Sequence, residues 1–158
     1  MPRFPRPLAG VFRRSGSASQ PRGHAASSAQ SYTATVLLNV TSGPRGQYLN
    51  FFGYQHGQPL ARAEILGDGP LVLTVEASTV EAAADRVYLI GNSAGADSFN
   101  RSWPSGVRAV SVGDVLHITG SDGREVHLAV ASDGYERVDA PATIVPLAGS
   151  TALTHGEM

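Results

Sequence analysis

Apolar and polar positions along the chain change period twice, and the changes mark out its elements. Residues 32–40, YTATVLLNV, are β-branched and partly alternating, which predicts a strand. SGPRG at 42–46 reads as a loop. The aromatic run YLNFFGYQ at 48–55 reads as strand, and HGQP then turns the chain. Residues 60–66 alternate, GDGP at 67–70 is a strong turn, and LVLTVEA at 71–77 extends again, so the two runs are expected to pair as a hairpin.

From residue 78 the period lengthens. Val80, Ala83, Ala84, Val87 and Ile90 recur at helical spacing, around a run of three alanines. Ser78 and Glu81 form a capping-box pattern, in which the serine accepts from an early amide and the glutamate reaches back. The expectation is an amphipathic helix over 79–90, ended by Gly91 or Asn92 in the left-handed conformation. Residues 93–106 are small, polar and interrupted by Pro104, hence a loop.

Alternation then returns in residues 107–119 and 125–138, read as two strands. A three-residue loop, Ser121-Asp122-Gly123, would set Gly123 in the left-handed position of a bulged hairpin. That register opposes Leu116 to Leu128 and Ile118 to Val126 on one face, and His117 to His127 on the other. A two-residue loop would oppose Ile118 to His127 and mix the faces, so the burial rule selects the longer loop. The apolar four should pack toward the helix through Val80, Ala84 and Val87, leaving the histidine face to solvent. The fold class is α+β: a single antiparallel sheet of five or six strands, packed on one main helix (79–90), in one domain over residues 31–140. Residues 141–158 read as a mostly disordered tail, in which TIVPL can add a short edge strand.

Composition refines this picture at the N-terminus. Residues 1–30 are rich in Pro, Arg, Ser, Gly and Ala, lack periodicity, and read as a disordered extension. The net charge of −1 conceals a split: seven arginines and no acid precede residue 64, and five arginines and thirteen acids follow residue 63. Arg3, Arg6, Arg13, Arg14 and Arg22 suit contact with nucleic acid as the alternative to plain disorder. An acid-free, Arg- and Ser-rich segment also fits an organelle transit peptide, although prolines at 2, 5 and 7 weaken the helix such a peptide needs. The expected location is otherwise cytoplasmic. No apolar run reaches the 18 or so residues of a membrane span, so no membrane contact is expected. The chain has no cysteine, which removes disulfides, thiol catalysis and cysteine metal sites.

Gly91-Asn92-Ser93-Ala94-Gly95 is a literal G-x-S-x-G, the pattern of the serine-hydrolase nucleophile elbow. The elbow needs strand, sharp turn and helix, whereas these residues close a helix and a poor helix former follows. Ser93 as a catalytic nucleophile is therefore the minor alternative, and neither enzymatic activity nor a cofactor is expected. The pair His117 and His127 is the alternative metal site, short of the three or four ligands zinc requires, with Glu125 or Thr119 as weak completions. Asp114, after Gly113, reads as a strand-entry carboxylate that holds local amides, or else as a ligand carboxylate. Trp103, in a polar loop, either caps the core edge or anchors a partner.

One stretch carries a resemblance. Arg108, Val110, Ser111, Val112, Gly113, Asp114 and Val115, followed by Gly134 and Tyr135, are similar to an R-S-L-S-V-G-D-V-type motif. That motif marks small actinobacterial proteins of unknown function, often of mobile elements, and the span also resembles the YodL-like domain family. FGYQHGQPLARAE at 52–64 resembles the start of the actinobacterial group, so the likeness covers roughly residues 47–138. Ala109 departs from the usual serine. The resemblance implies an accessory protein of a plasmid, phage or integrated element, with no activity to carry over. The expected function is a non-enzymatic binding or adaptor module with an unidentified protein partner. Its candidate surface is formed by Trp103, Arg108, Ser111, Gly113, Asp114 and Tyr135.

Overall fold

The computed structural model describes residues 28–41 and 53–147. In chain order the elements are β1 (Gln30–Asn39), β2 (Leu60–Arg62), β3 (Glu64–Ile65), β4 (Gly69–Pro70), β5 (Leu73–Ala77), α1 (Val80–Gly91), β6 (Val115–Gly120), β7 (Glu125–Ala131), β8 (Gly134–Val138) and β9 (Ile144–Val145). The class is α+β. The expected strand over 48–55 falls partly outside the described residues, and residues 53–55 are not in a strand. The arm arginines 3, 6, 13, 14 and 22, and the tail beyond residue 147, also lie outside them. No helix among the described residues is long and apolar enough to cross a membrane.

Seven strands form the main sheet, rather than five or six: β8-β7-β6-β1-β2-β9 in order, with β5 also on β1. All pairings are antiparallel except β2 with β9, where TIVPL supplies the short edge strand. Two features raise the count. Residues 125–138 are not one strand but two, β7 and β8, joined at a turn where Gly134 has φ +97°. The hairpin expected between residues 60–66 and 71–77 is short: β3 pairs with β4, which lies within the expected turn, and the Leu71 amide donates to the Ala63 carbonyl at 2.9 Å. Beyond the tip they part, and both bind β1. β5 lies against residues 30–34 and β2 against residues 37–39, on the edge opposite β6. Together they act as one interrupted strand from which the β3–β4 hairpin projects. The strand expected over 107–119 begins only at Val115, because residues 107–114 are occupied by the loop described below.

The β6–β7 hairpin has the expected register: Leu116 faces Leu128, His117 faces His127 and Ile118 faces Val126. Gly123 takes φ +86°, as the bulged three-residue loop requires. Leu116, Ile118 and Leu128 join Ala83, Ala84, Val87 and Ile90 of α1 in the main core, with Val126 and Val80 packed at its margin. The histidine face is not simply wet. Leu37, Leu60, Val115 and Ala129 form a second buried cluster there, with Tyr54 and Val138 packed against it.

Both ends of α1 differ by one residue from the pattern. Thr79, not Ser78, is the N-cap, its backbone extended and its Oγ1 accepting from the Ala82 amide at 3.0 Å. At the C-terminus the left-handed residue is neither Gly91 nor Asn92 but Ser93, at φ +65°. The Ser93 amide donates to the Ile90 carbonyl at 2.9 Å and the Ala94 amide to Leu89 at 2.8 Å, the two bonds of a Schellman motif. Gly91 is needed for a different reason. A Cβ there would lie 2.3 Å from Cγ2 of Val110, so the helix and the 107–114 loop can approach only over a bare Cα.

The two positions should therefore respond in opposite senses. Gly91→Ala, normally favourable inside a helix, should cost about 1–3 kcal/mol through overpacking on Val110. Ser93→Gly should gain about 0.5–1 kcal/mol by relieving a left-handed side chain. Urea denaturation of both variants checks the pair; stabilisation by Gly91→Ala would refute the close approach.

Candidate functional site

Residues 107–114 form a loop that crosses from α1 to the start of β6, and a single carboxylate organises it. Asp114 is wholly buried, at 0% exposure. Its Oδ2 accepts from Nη1 of Arg108 and from the Ser111 amide, both at 2.8 Å. Its Oδ1 accepts from Nη2 of Arg108 at 2.7 Å and from the Asn39 amide at 2.8 Å. Arg108 also donates to the carbonyls of Asn39 and Ala109. Only the Ala109 carbonyl enters this scheme, so the alanine in place of serine disturbs none of these bonds. The Asp114 amide donates to the Ser111 carbonyl across a turn whose third residue, Gly113, has φ +98°. Glycine suits that left-handed position. The Gly113 carbonyl in turn accepts from Nδ2 of Asn39, whose Oδ1 receives the hydroxyl and amide of Thr41. Burial pushes the Asp114 carboxyl up from its ordinary value, against the opposing pull of Arg108 and the amides of Asn39 and Ser111.

Four members of the expected binding surface are thus brought together: Gly113 and Asp114 are buried, Ser111 is half-buried and Arg108 is exposed. Arg108, Ser111, Gly113 and Asp114 tie the end of β1 to the start of β6, and neither Gly113 nor Asp114 is at the surface. Each Asp114 oxygen thus already faces two donors within the fold, the amide-holding role expected of a strand-entry carboxylate. Trp103 is half-buried against the core, and its indole N–H donates to the carbonyls of Val107 and Arg108, both at 3.1 Å. It braces the same loop.

A second buried carboxylate carried no signal strong enough to single it out in the sequence. Asp97 accepts from the amides of Thr74, Phe99 and Arg101 and from Nε of Arg101 at 3.0 Å, fastening the 97–101 loop to β5. Burial alone would raise its pKa, but the Thr74, Arg101 and Phe99 amides and the Arg101 guanidinium outweigh that and lower it. An acid followed four residues later by arginine is too common a spacing to mark such a site.

Ser93 lies just past α1, exposed, with a loop after it. This is helix, turn and coil, the reverse of the strand–turn–helix elbow. Among the described residues its hydroxyl has no hydrogen-bond partner. His117 and His127 stack with ring centroids 4.3 Å apart and planes 3° apart, and Nε2 of His117 meets Oε1 of Glu125 at 2.8 Å. Among the described residues, no three His, Asp or Glu side chains are placed to hold a metal ion.

Tyr135 has a different position from the rest of the expected set. It lies on the edge strand β8, half-buried, and its hydroxyl donates to Oδ1 of Asp85 on α1 at 2.9 Å. Burial, and then the Asp85 carboxylate, push its phenol well above the ordinary value. Beside this bond a depression of about 310 Å³ opens between α1 and the β7–β8 turn, with Tyr88 and Ser132 on its walls. A smaller one of about 160 Å³, bordered by Tyr54 and Glu136, adjoins it across Val112 and Val130.

No family model matches this sequence, and neither the curated proteins nor the solved structures contain a match to it.

The stacked histidines generate a pH dependence. Burial, and then the neighbouring His117, hold His127 below its ordinary value of 6.5, with Glu125 pulling the other way. The unfolded chain therefore binds this proton more readily than the folded one, so stability is full above pH 6.5 and falls as pH drops below it. Thermal unfolding at pH 7.5 and at pH 5.5 should show a lower Tm at the acidic value. His127→Asn should flatten that difference, and an unchanged slope in the variant would count against the assignment.

Proposed function

We propose that this chain is a non-enzymatic binding or adaptor module, whose recognition surface is the cleft between α1 and the β7–β8 turn. The observation that supports this reading is the division of labour around Asp114. The polar residues of the Arg108–Asp114 motif satisfy one another, whereas Tyr135, Tyr88 and Asp85 border an open depression. Tyrosine walls with a carboxylate at the rim suit a binding surface, since tyrosine supplies contact area at low entropic cost. The likeness of the Arg108–Val115 motif to small actinobacterial proteins and to the YodL-like family supports a role as an accessory protein of a mobile element, acting on a protein partner in the cytoplasm.

A second reading rests on the charge distribution. The five arginines of residues 1–27 stand without any acid, while the described residues hold twelve acids against six arginines. Nucleic acid would then be met by the arm alone, with affinity falling steeply as salt rises.

A photocrosslinking residue placed at Ser132, on the cleft wall, should yield a discrete adduct in cells expressing the full chain. The same residue at exposed Glu76 should not. Equal adducts from both positions, or none from Ser132, would contradict the proposed surface. Fluorophosphonate labelling abolished by Ser93→Ala would overturn the non-enzymatic reading itself.

A further inference from the structure

β8 is an open edge. It pairs with β7 alone and ends the main sheet, and each of its residues is half-buried or exposed. The sense of its hydrogen bonds follows from Val130. The Val130 amide donates to the Asp114 carbonyl, and the Val130 carbonyl accepts from the Gly113 amide, both on the β6 side. Val130 thus turns its main chain away from Tyr135, the residue opposite it on β8. In an antiparallel ladder such a pair is the non-hydrogen-bonded one, and the sense alternates residue by residue. Gly134, Glu136 and Val138 therefore bond to β7, whereas the amides and carbonyls of Tyr135 and Arg137 point outward. Among the described residues, no backbone hydrogen bond from another element reaches these outward groups.

The side chains of this edge select what can pair there. Tyr135 and Arg137 lean onto α1, toward Asp85 and Glu81, and Glu136 lies on the other face of the sheet, beside the depression bordered by Tyr54. A second copy of the chain is a poor match. When two β8 strands meet antiparallel, the outward groups require Tyr135 to oppose Tyr135 or Arg137 of the copy, never Val138. The register that pairs the whole strand sets Glu136 against Glu136, at the close non-hydrogen-bonded position. A shift toward the C-terminus sets Arg137 against Arg137, and a shift the other way runs into the turn at Ser132 and Asp133. Like charges directly opposite are destabilising. The register that would match Glu136 to Arg137 needs main-chain groups already bonded to β7. A strand of another protein is free of that restriction. Its acid can oppose Arg137, its base Glu136, and an aromatic or β-branched residue Tyr135, each a favourable cross-strand pair.

Resting on the reading of the Tyr135 cleft as a binding surface, we infer that the protein partner enters as an extended strand, added antiparallel to β8. Its recognition segment runs acid, base, then aromatic or β-branched residue, from N- to C-terminus. The main chain of Tyr135 and Arg137 holds the strand, and the alternating side chains select it, as in other cases of strand addition to a sheet edge.

The probe is the capped peptide Ser-Thr-Glu-Lys-Tyr-Thr-Ser, titrated into the isotopically labelled full chain and followed by amide exchange. At roughly 5 mM peptide the Tyr135 and Arg137 amides should exchange about fivefold more slowly, and the Glu136 amide, already bonded to β7, should change by less than about twofold. N-methylation of the peptide's glutamate or tyrosine, whose N–H groups face β8, should abolish the effect. N-methylation of its lysine, whose N–H faces away, should not. Exchanging the peptide's glutamate and lysine should weaken binding about threefold or more. Arg137→Pro removes an outward N–H and no bond to β7, so the variant should unfold cooperatively and lose the peptide. Slow exchange of Tyr135 and Arg137 in the free chain overturns the inference: the edge is then covered by a second copy if dilution restores exchange, and by the chain itself if it does not. Binding indifferent to which N–H is methylated overturns it too, as does the absence of protection. Failure of the peptide with the Ser132 adduct intact refutes strand addition and leaves the binding surface standing, whereas absence of that adduct removes the surface itself.

Discussion

One carboxylate sets the connections among the middle elements of the fold. Asp114 receives four donors: two from Arg108, one from the end of β1 and one from its own loop. Without the carboxylate, the Asn39 amide at the end of β1 would be buried unpaired, a cost of about 1–3 kcal/mol, and the half-buried Ser111 amide of the loop would lose its acceptor. The pairing is asymmetric in exposure, with Asp114 at 0% and the Arg108 side chain at 36%. The arginine thus keeps part of its hydration while the acid gives up all of its own. That arrangement lessens the desolvation penalty that makes fully buried pairs poor stabilisers. The same loop seats Trp103 and presses Val110 onto Gly91, so the helix, the loop and the central strands are fixed by one cluster.

How much of this was legible depended on how local the signal was. The β6–β7 register could be read because alternation and a glycine turn agreed, and a one-residue slip would have exposed Leu116 and Leu128. The helix could be read from its period, but its caps could not be placed to the residue. Ser78 and Thr79 both suit an N-cap, and Ser93 assumes a backbone that composition would assign to Gly91 or Asn92. The parting of residues 60–66 from 71–77 was hidden, because whether two alternating runs pair with each other or with a third strand depends on β1. Asp114 was recognisable as a strand-entry acid that holds amides. Its partners Asn39 and Arg108 were not, since 75 residues separate Asn39 from the acid it meets. Asp97 was passed over for the same reason: its contact with Thr74 exists only in the folded chain.

This geometry changes what the Arg108–Asp114 motif means for function. Arg108, Ser111, Gly113 and Asp114, expected as part of a binding surface, also brace the end of β1 against the start of β6. Asp85, Tyr88, Ser132 and Tyr135, with Tyr135 bonded to Asp85, border the depression on which the proposed binding function rests. The two regions are joined physically through Val112 and Val130, which border both depressions, and through the Gly113 amide, which donates to the Val130 carbonyl at 2.9 Å.

The most direct test is the stability of Asp114→Asn, with amide exchange followed residue by residue. The side chain keeps its size but presents an amide to four donors, and a broken buried pair costs about 3–5 kcal/mol. Urea denaturation should show a loss in that range, and the amides of Asn39 and Ser111 should exchange faster in the native state. Stability within about 0.5 kcal/mol of the parent, with both amides still protected, would contradict the structural role of this carboxylate and return Asp114 to consideration as a ligand group.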